Sequence, residues 1–191
     1  MLKKLNKNNM GKKILVVVDV QYDFCNPNGA LFVPGGEEVV NKVKDIIPNF
    51  DYVIFTKDSH GLNHCSFKEN GGIWPVHCVW NSIGEGIPVE LLKATKDYGI
   101  VNKGGNDNEE EYGADANAIM TAHDENPEEC EFVFCGIHAL YCVKETIKNF
   151  IEKYPQVKVS VLTDCIAPLD CDEFNTFCAE NSITQKSVVD F

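Results

Sequence analysis

Ile14-Leu-Val-Val-Val18, followed at once by Asp19, is the stretch from which the fold can be read. Consecutive apolar residues, mostly β-branched and without the alternation of a half-exposed strand, describe a central parallel strand buried on both faces. The pattern returns at Tyr52-Val-Ile-Phe-Thr56, Gly99-Ile-Val-Asn102, Glu131-Phe-Val-Phe-Cys135, Val157-Lys-Val-Ser-Val-Leu162 and Ser187-Val-Val-Asp190, giving six candidate strands. Between them Val39, Val40, Val43, Ile46 and Ile47 share one helical face, as do Val143, Ile147, Phe150 and Ile151. Further helices are expected within Ala114–His123 and Asp172–Asn181. This alternation implies right-handed βαβ crossovers and an α/β fold, a three-layer α/β/α arrangement around a mostly parallel, about six-stranded sheet.

The chain of 191 residues fits one domain, expected over residues 14–191 behind a polar N-terminal extension at residues 1–13. All 17 basic residues are lysine, and 29 acids bring the net charge to −12. Residues 14–191 carry 12 lysines against all 29 acids, a net charge of −17. Binding driven by phosphate neutralisation needs clustered positive charge, so no nucleic-acid partner is expected. The absence of arginine removes the fork that most often clamps carboxylates and phosphates, which leans toward a neutral substrate. No apolar run approaches the roughly 20 residues that span a bilayer, so no membrane partner is expected either. Nine cysteines, an odd count with no C-x-x-C pair and no signal-peptide pattern ahead of them, point to a reduced, cytoplasmic protein whose thiols mostly pack in the core.

In open α/β sheets, ligands bind beyond the carboxyl ends of the strands. The residues there are Asp19 after the first strand, Asp58 and His60 after the second, Lys103 after the third, and the segment Gly136–Cys142 after the fourth. Cys142 opens a helix, where the helix dipole and a nearby lysine would favour thiolate over thiol. Lys103 could supply the charge and Asp19 could accept and return the proton, the roles that covalent catalysis on a carbonyl requires. The long stretch Ser59–Pro88 has little periodicity, and loops of that length are usually functional or disordered. It begins next to Asp58-Ser-His60-Gly-Leu-Asn-His64 and carries Trp74-Pro-Val-His77-Cys78, so three of the five histidines lie between positions 60 and 77. A carboxylate with imidazoles suits zinc, or iron and manganese with added waters, although an ordinary surface loop can carry the same residues. His123, at an acidic helix end, and the acidic run Asp107–Glu111 read as solvated surface.

Taken in order, these segments resemble the isochorismatase-like cysteine hydrolases, and within them the nicotinamidases. Asp19-Val-Gln-Tyr-Asp23-Phe24 is similar to that family's D-x-Q-x-D-F opening, and Thr56-Lys-Asp58-Ser-His60 to its metal loop. Trp74-Pro-Val-His77-Cys78 is similar to its W-P-x-H-C element, Lys103-Gly104 to its K-G element, and Gly136-Ile-His-Ala-Leu-Tyr-Cys142 to its nucleophile segment. The resemblance runs from Ile14 to the C-terminus.

It implies a hydrolase in which Cys142 is the nucleophile, Asp19 the general acid and base, and Lys103 the thiolate-stabilising cation. Asp58, His60 and His77 become ligands of one divalent metal, zinc by preference, with His64 as candidate fourth ligand. Phe24 and Trp74 become the aromatic walls around a pyridine ring. The backbone N–H groups of His138 and Cys142 become the oxyanion hole, with a non-proline cis peptide at Ile137–His138. The implied reaction converts nicotinamide to nicotinate and ammonia through a thioester, a step of NAD salvage, and a homo-oligomer is compatible with it. The chain departs from the family in two places. The family's nucleophile segment usually reads G-x-A-T-D-x-C, and here His138, Ala139 and Leu140 replace Ala, Thr and Asp; of a Y-S-x-F sequence after the lysine, Tyr112-Gly-Ala-Asp115 keeps the tyrosine. Two further readings are a related amidohydrolase acting on a different small amide and a non-catalytic metal-binding module. A third, a thiol redox sensor, would need a resolving cysteine, and Cys135 is the nearest in sequence.

Overall fold

The computed structural model describes residues 11–123 and 126–191. Six strands form one sheet, β1 (Lys12–Val18), β2 (Tyr52–Asp58), β3 (Tyr98–Lys103), β4 (Cys130–Ile137), β5 (Lys158–Ala167) and β6 (Thr184–Lys186), all paired in parallel in the order β3-β2-β1-β4-β5-β6. Among the described residues six α-helices accompany them: α1 (Tyr22–Cys25), α2 (Gly36–Ile46), α3 (Val89–Ala94), α4 (Ala116–Thr121), α5 (Lys144–Lys153) and α6 (Asp172–Glu180).

The expected three layers follow from the side-chain alternation of the strands. Ile14, Val16 and Val18 face one way and pack with Ile119 of α4, Ile147 and Phe150 of α5 and Phe174 of α6. Leu15 and Val17 face the other way and pack with Val39, Val43 and Ile46 of α2 and Leu91 of α3. All five residues from Ile14 to Val18 are fully buried, each such side chain contributing about 1.5–3 kcal/mol of transfer free energy. In α2 the apolar face is the one the spacing predicts. The helix stops at Ile46, because Pro48 cannot continue it and Ile47 starts a short 3₁₀ turn.

Three expectations are corrected. Ser187-Val-Val-Asp190 is no strand: Val188–Asp190 forms a 3₁₀ turn capped by Ser187 and Asp190, and the sixth strand is Thr184–Lys186. That edge strand has no buried residue, so it left no hydrophobic signal. His123 is buried, its ring tilted against Tyr52 and Phe132. β1 starts at Lys12, two residues ahead of the apolar run and inside the stretch expected as a polar extension, and residues 1–10 lie outside the described residues.

The strand order reverses direction between β1 and β4, which opens a crevice at their carboxyl ends. Val18 and Gly136 pair across this point. Gly136 has φ 128°, and a Cβ there would lie 2.0 Å from the Val18 carbonyl oxygen, so only glycine lets the two strands approach. Among the described residues no helix is long and apolar enough to cross a membrane.

Candidate active site and metal centre

Asp19, Asp58 and Lys103 stand at the ends of three adjacent strands, and the turn carrying Cys142 follows the fourth. Asp19 leaves β1 with φ 48° and is fully buried. Its backbone N–H donates to Thr56 O and Oγ1, both at 3.2 Å, and the Thr56 hydroxyl donates to its Oδ1 at 2.5 Å. The Lys103 ammonium lies 2.8 Å from Asp19 Oδ2, pairs with Asp58 Oδ1, and sits 3.7 Å from Cys142 Sγ. A carboxylate oxygen from each aspartate and the Cys142 sulfur lie within 4.8 Å of one another.

Burial sets the protonation states of this cluster. It raises the Asp19 carboxyl above its usual range, with the Lys103 charge opposing and the Asp58 charge adding to the rise. Burial also tends to raise Asp58, but there the Lys103 ammonium beside it prevails and holds it well below the carboxylate range. Lys103 stays firmly charged: burial works against it, and the two aspartates outweigh burial.

The thiol of Cys142 is pushed well up by burial and by Asp19 and Asp58, with Lys103 opposing. Burial and the two carboxylates thus outweigh the lysine expected to favour thiolate. Cys142 sits in a single π-helical turn, Ala139–Val143, ahead of α5, and its neighbours include two carboxylates as well as one ammonium. A thiol so held needs a base within reach before it can attack.

Asp58, His60 and His77 are all buried and place one ligand atom each within 4.8 Å of the others. His60 Nδ1 donates to Gly104 O at 2.7 Å and His77 Nδ1 to Pro75 O at 2.8 Å, which turns both Nε2 lone pairs free for a metal. Gly104, at φ 67°, brings its carbonyl this close because a Cβ would meet His60 Cε1 at 2.4 Å. A carboxylate and two such imidazoles are a donor set that fits zinc with further positions open. His64 is buried beside His60, ring centroids 4.1 Å apart, with Nδ1 2.7 Å from Ser66 Oγ. Its Nε2 is buried without a hydrogen-bond partner, yet it falls outside the group of three.

The cluster opens into a cavity of about 330 Å³ that Phe24 and Trp74 both line, together with Asp58, His77 and Cys142. Sequence reasoning missed the other aromatic walls, Phe32, Tyr112 and Tyr141. The Trp74 indole N–H donates to the Tyr112 hydroxyl at 3.1 Å, and Trp74 and Tyr141 meet edge to face. It also missed Glu110 at the mouth. The acidic run is not all solvated surface: Glu110 lines the cavity, and the Glu111 carboxylate accepts from Gly104 N–H at 3.1 Å.

Two more residues in the D-x-Q-x-D-F segment hold the site's loops. The Gln21 side chain brackets Asp58, accepting from its N–H and donating to its carbonyl, both at 2.8 Å. The Asp23 carboxylate accepts from Cys78 N–H at 2.7 Å, fixing the loop next to His77. Their signal was present in the sequence as polar residues inside an otherwise apolar strand-to-helix turn.

The peptide between Ile137 and His138 is cis. Beyond it, His138 O accepts from the N–H groups of Tyr141 and Val143, both at 3.1 Å. No disulfide forms among the described residues, and Cys135 is fully buried.

No protein-family model matches the chain. It is similar to the nicotinamidase of Saccharomyces cerevisiae, 30% identical over an alignment of 200 positions that covers 84% of this chain and 90% of the relative. Among solved structures it is similar to a pyrazinamidase of Pyrococcus horikoshii in complex with zinc, 30% identical with a TM-score of 0.77, covering 92% of this chain and 99% of that one. It is also similar to the yeast nicotinamidase bound to the inhibitor nicotinaldehyde, 28% identical with a TM-score of 0.78 over the same shares.

Proposed function

The chain belongs to the nicotinamidase family, hydrolases of an amide C–N bond, and from that premise we propose that it converts nicotinamide to nicotinate and ammonia through a thioester on Cys142. The observation that carries this reading is the single cavity on which a buried Asp–Lys–Cys cluster and an Asp–His–His donor set converge, between aromatic walls.

The cavity and its walls suit a flat, neutral heteroaromatic ring, and no arginine is present to hold an anionic one. Asp58, His60 and His77 would hold the metal. When bound, it supplies a Lewis-acid anchor for the ring nitrogen. Zinc is the preferred ion from the donor set. Phe24 and Trp74 orient the ring so that the carboxamide meets Cys142.

Asp19 takes the proton from the Cys142 thiol as sulfur attacks the carboxamide carbon. The new S–C bond pushes the carbonyl electrons onto oxygen, facing the backbone N–H groups of His138 and Cys142. As the oxyanion collapses, the C–N bond breaks and Asp19 gives its proton to the leaving nitrogen, releasing ammonia. Asp19 then takes a proton from water as its oxygen attacks the thioester. The S–C bond breaks, nicotinate leaves, and Asp19 returns the proton to sulfur. Lys103 remains charged throughout and stabilises the sulfur anion each time it forms. The raised carboxyl of Asp19 suits this relay, because a base closer to neutrality both accepts and returns a proton readily.

The reaction is a step of NAD salvage, and nine thiols without a disulfide among the described residues suit the cytoplasm. Ammonia release from nicotinamide by purified, zinc-loaded protein tests the reading. Turnover is expected, and its absence in metal-replete protein overturns it.

A further inference from the structure

His138 follows the cis peptide at the entrance to the turn that carries Cys142, and its ring is used. Its Nδ1 accepts a hydrogen bond from the backbone N–H of Leu140 at 3.2 Å, so the side chain caps the π-helical turn that carries Cys142. Of the four consecutive N–H groups from Leu140 to Val143, His138 holds three, Leu140 by its ring and Tyr141 and Val143 by its carbonyl. That of Cys142, the one the reaction needs, is not among them. The ring is also fixed from the side, edge to face with Tyr141 at 5.0 Å, and it lines the cavity beside Cys142.

We infer that His138 is a positioning residue: its neutral imidazole caps the nucleophile turn, holds the Cys142 N–H and thiol in place, and releases them when the ring is protonated. The chemistry is one of donor and acceptor. Nδ1 can accept from Leu140 only while it lacks a proton, and in the imidazolium both ring nitrogens are donors, leaving two N–H groups opposed. The capping contribution is therefore present above the imidazole's pKa and lost as the pH falls through it.

Burial lowers that pKa, which keeps the cap in place at neutral pH. The titratable groups that share the cavity are Tyr141 and Cys142 on its own turn, Glu110 and Tyr112 from the loop after β3, Asp58 at the end of β2 and His77 from the loop beyond it. No lysine lines the cavity among the described residues.

This inference rests on the nicotinamidase reading for its kinetic arm and is independent of it for the other. Asparagine offers a carbonyl oxygen that caps the same N–H without titrating. His138→Ala is expected to lower kcat about tenfold with a much smaller change in KM, and His138→Asn to recover most of that loss. Across a pH series from 8 to 4.5, the plateau of kcat for His138→Asn should extend to lower pH than that of the parent. In parallel, amide hydrogen exchange at Leu140 should quicken about fivefold in His138→Ala and remain slow in His138→Asn. An inactive parent would overturn the nicotinamidase reading while the exchange arm still judges the cap. Parent-like exchange at Leu140 in His138→Ala, or an acid limb in His138→Asn that superimposes on an active parent's, overturns the inference.

Discussion

Replacing Lys103 with methionine keeps the aliphatic stem and removes the ammonium, so it isolates the charge at the centre of the site. The side chain is 3% exposed, with its ammonium 2.8 Å from Asp19, paired with Asp58, and 3.7 Å from the Cys142 sulfur. Without it two buried carboxylates face one another uncompensated. Removing one partner of a buried pair costs about 3–5 kcal/mol. For a chain of 191 residues, at roughly 2–4 °C per kcal/mol, that lowers Tm by about 6–20 °C.

The pH dependence identifies the cause. In the parent, Lys103 holds the Asp58 carboxyl low against the effect of burial, so the stability it contributes is present above the unfolded value of about 3.9 and lost as pH falls through the folded one. In Lys103→Met, Asp58 joins Asp19 in being raised. The native state then binds more protons than the unfolded state through the mildly acidic range, and stability increases as the pH is lowered. Urea unfolding of chelator-treated protein at pH 8, 6.5 and 5 is the assay. The variant should be about 3 kcal/mol or more below the parent at pH 8 and recover part of the gap by pH 5. A variant within 1 kcal/mol of the parent at pH 8, with the same dependence on pH, would refute the reasoning.

Two further outcomes are expected. His77→Ala, equilibrated with zinc and dialysed, should retain far less metal than the parent by elemental analysis, and unchanged content removes His77 from the ligand set. Gly136→Ala places a Cβ 2.0 Å from the Val18 carbonyl at φ 128°, so it should lose about 3 kcal/mol or more in urea unfolding, and a loss under 1 kcal/mol contradicts the close β1–β4 approach.

The core of the sheet was legible because its strands are buried on both faces. Ile14–Val18 and Phe132–Cys135 had to be continuously apolar, and their ends had to carry whatever chemistry the crevice holds. Where burial places no demand, the sequence was silent or misleading. Thr184–Lys186 lies on an edge and is polar, while Val188 and Val189 next to it imitate a strand but form a capped turn. Helices α1 and α3, of four and six residues, are too short to show a period.

The site divides the same way. Asp19, Asp58, Lys103 and Cys142 are fixed by position at strand ends, and they meet as that position implies. Tyr112 and Glu110 reach the cavity from an irregular loop and Tyr141 from a five-residue π-helical turn, where neither periodicity nor spacing indicates which way a side chain turns. The protonation of Cys142 was unreadable for another reason. It depends on how many buried carboxylates share one ammonium, a property of the fold and not of the helix that follows.

The claim on which all of this depends is that one thiol of nine, Cys142, performs the chemistry. The most direct measurement is kcat for ammonia release from nicotinamide by zinc-loaded Cys142→Ala beside the parent. A fall of about 10⁴-fold or more is predicted, with the variant's fold and metal content retained. Activity within tenfold of the parent would contradict the account.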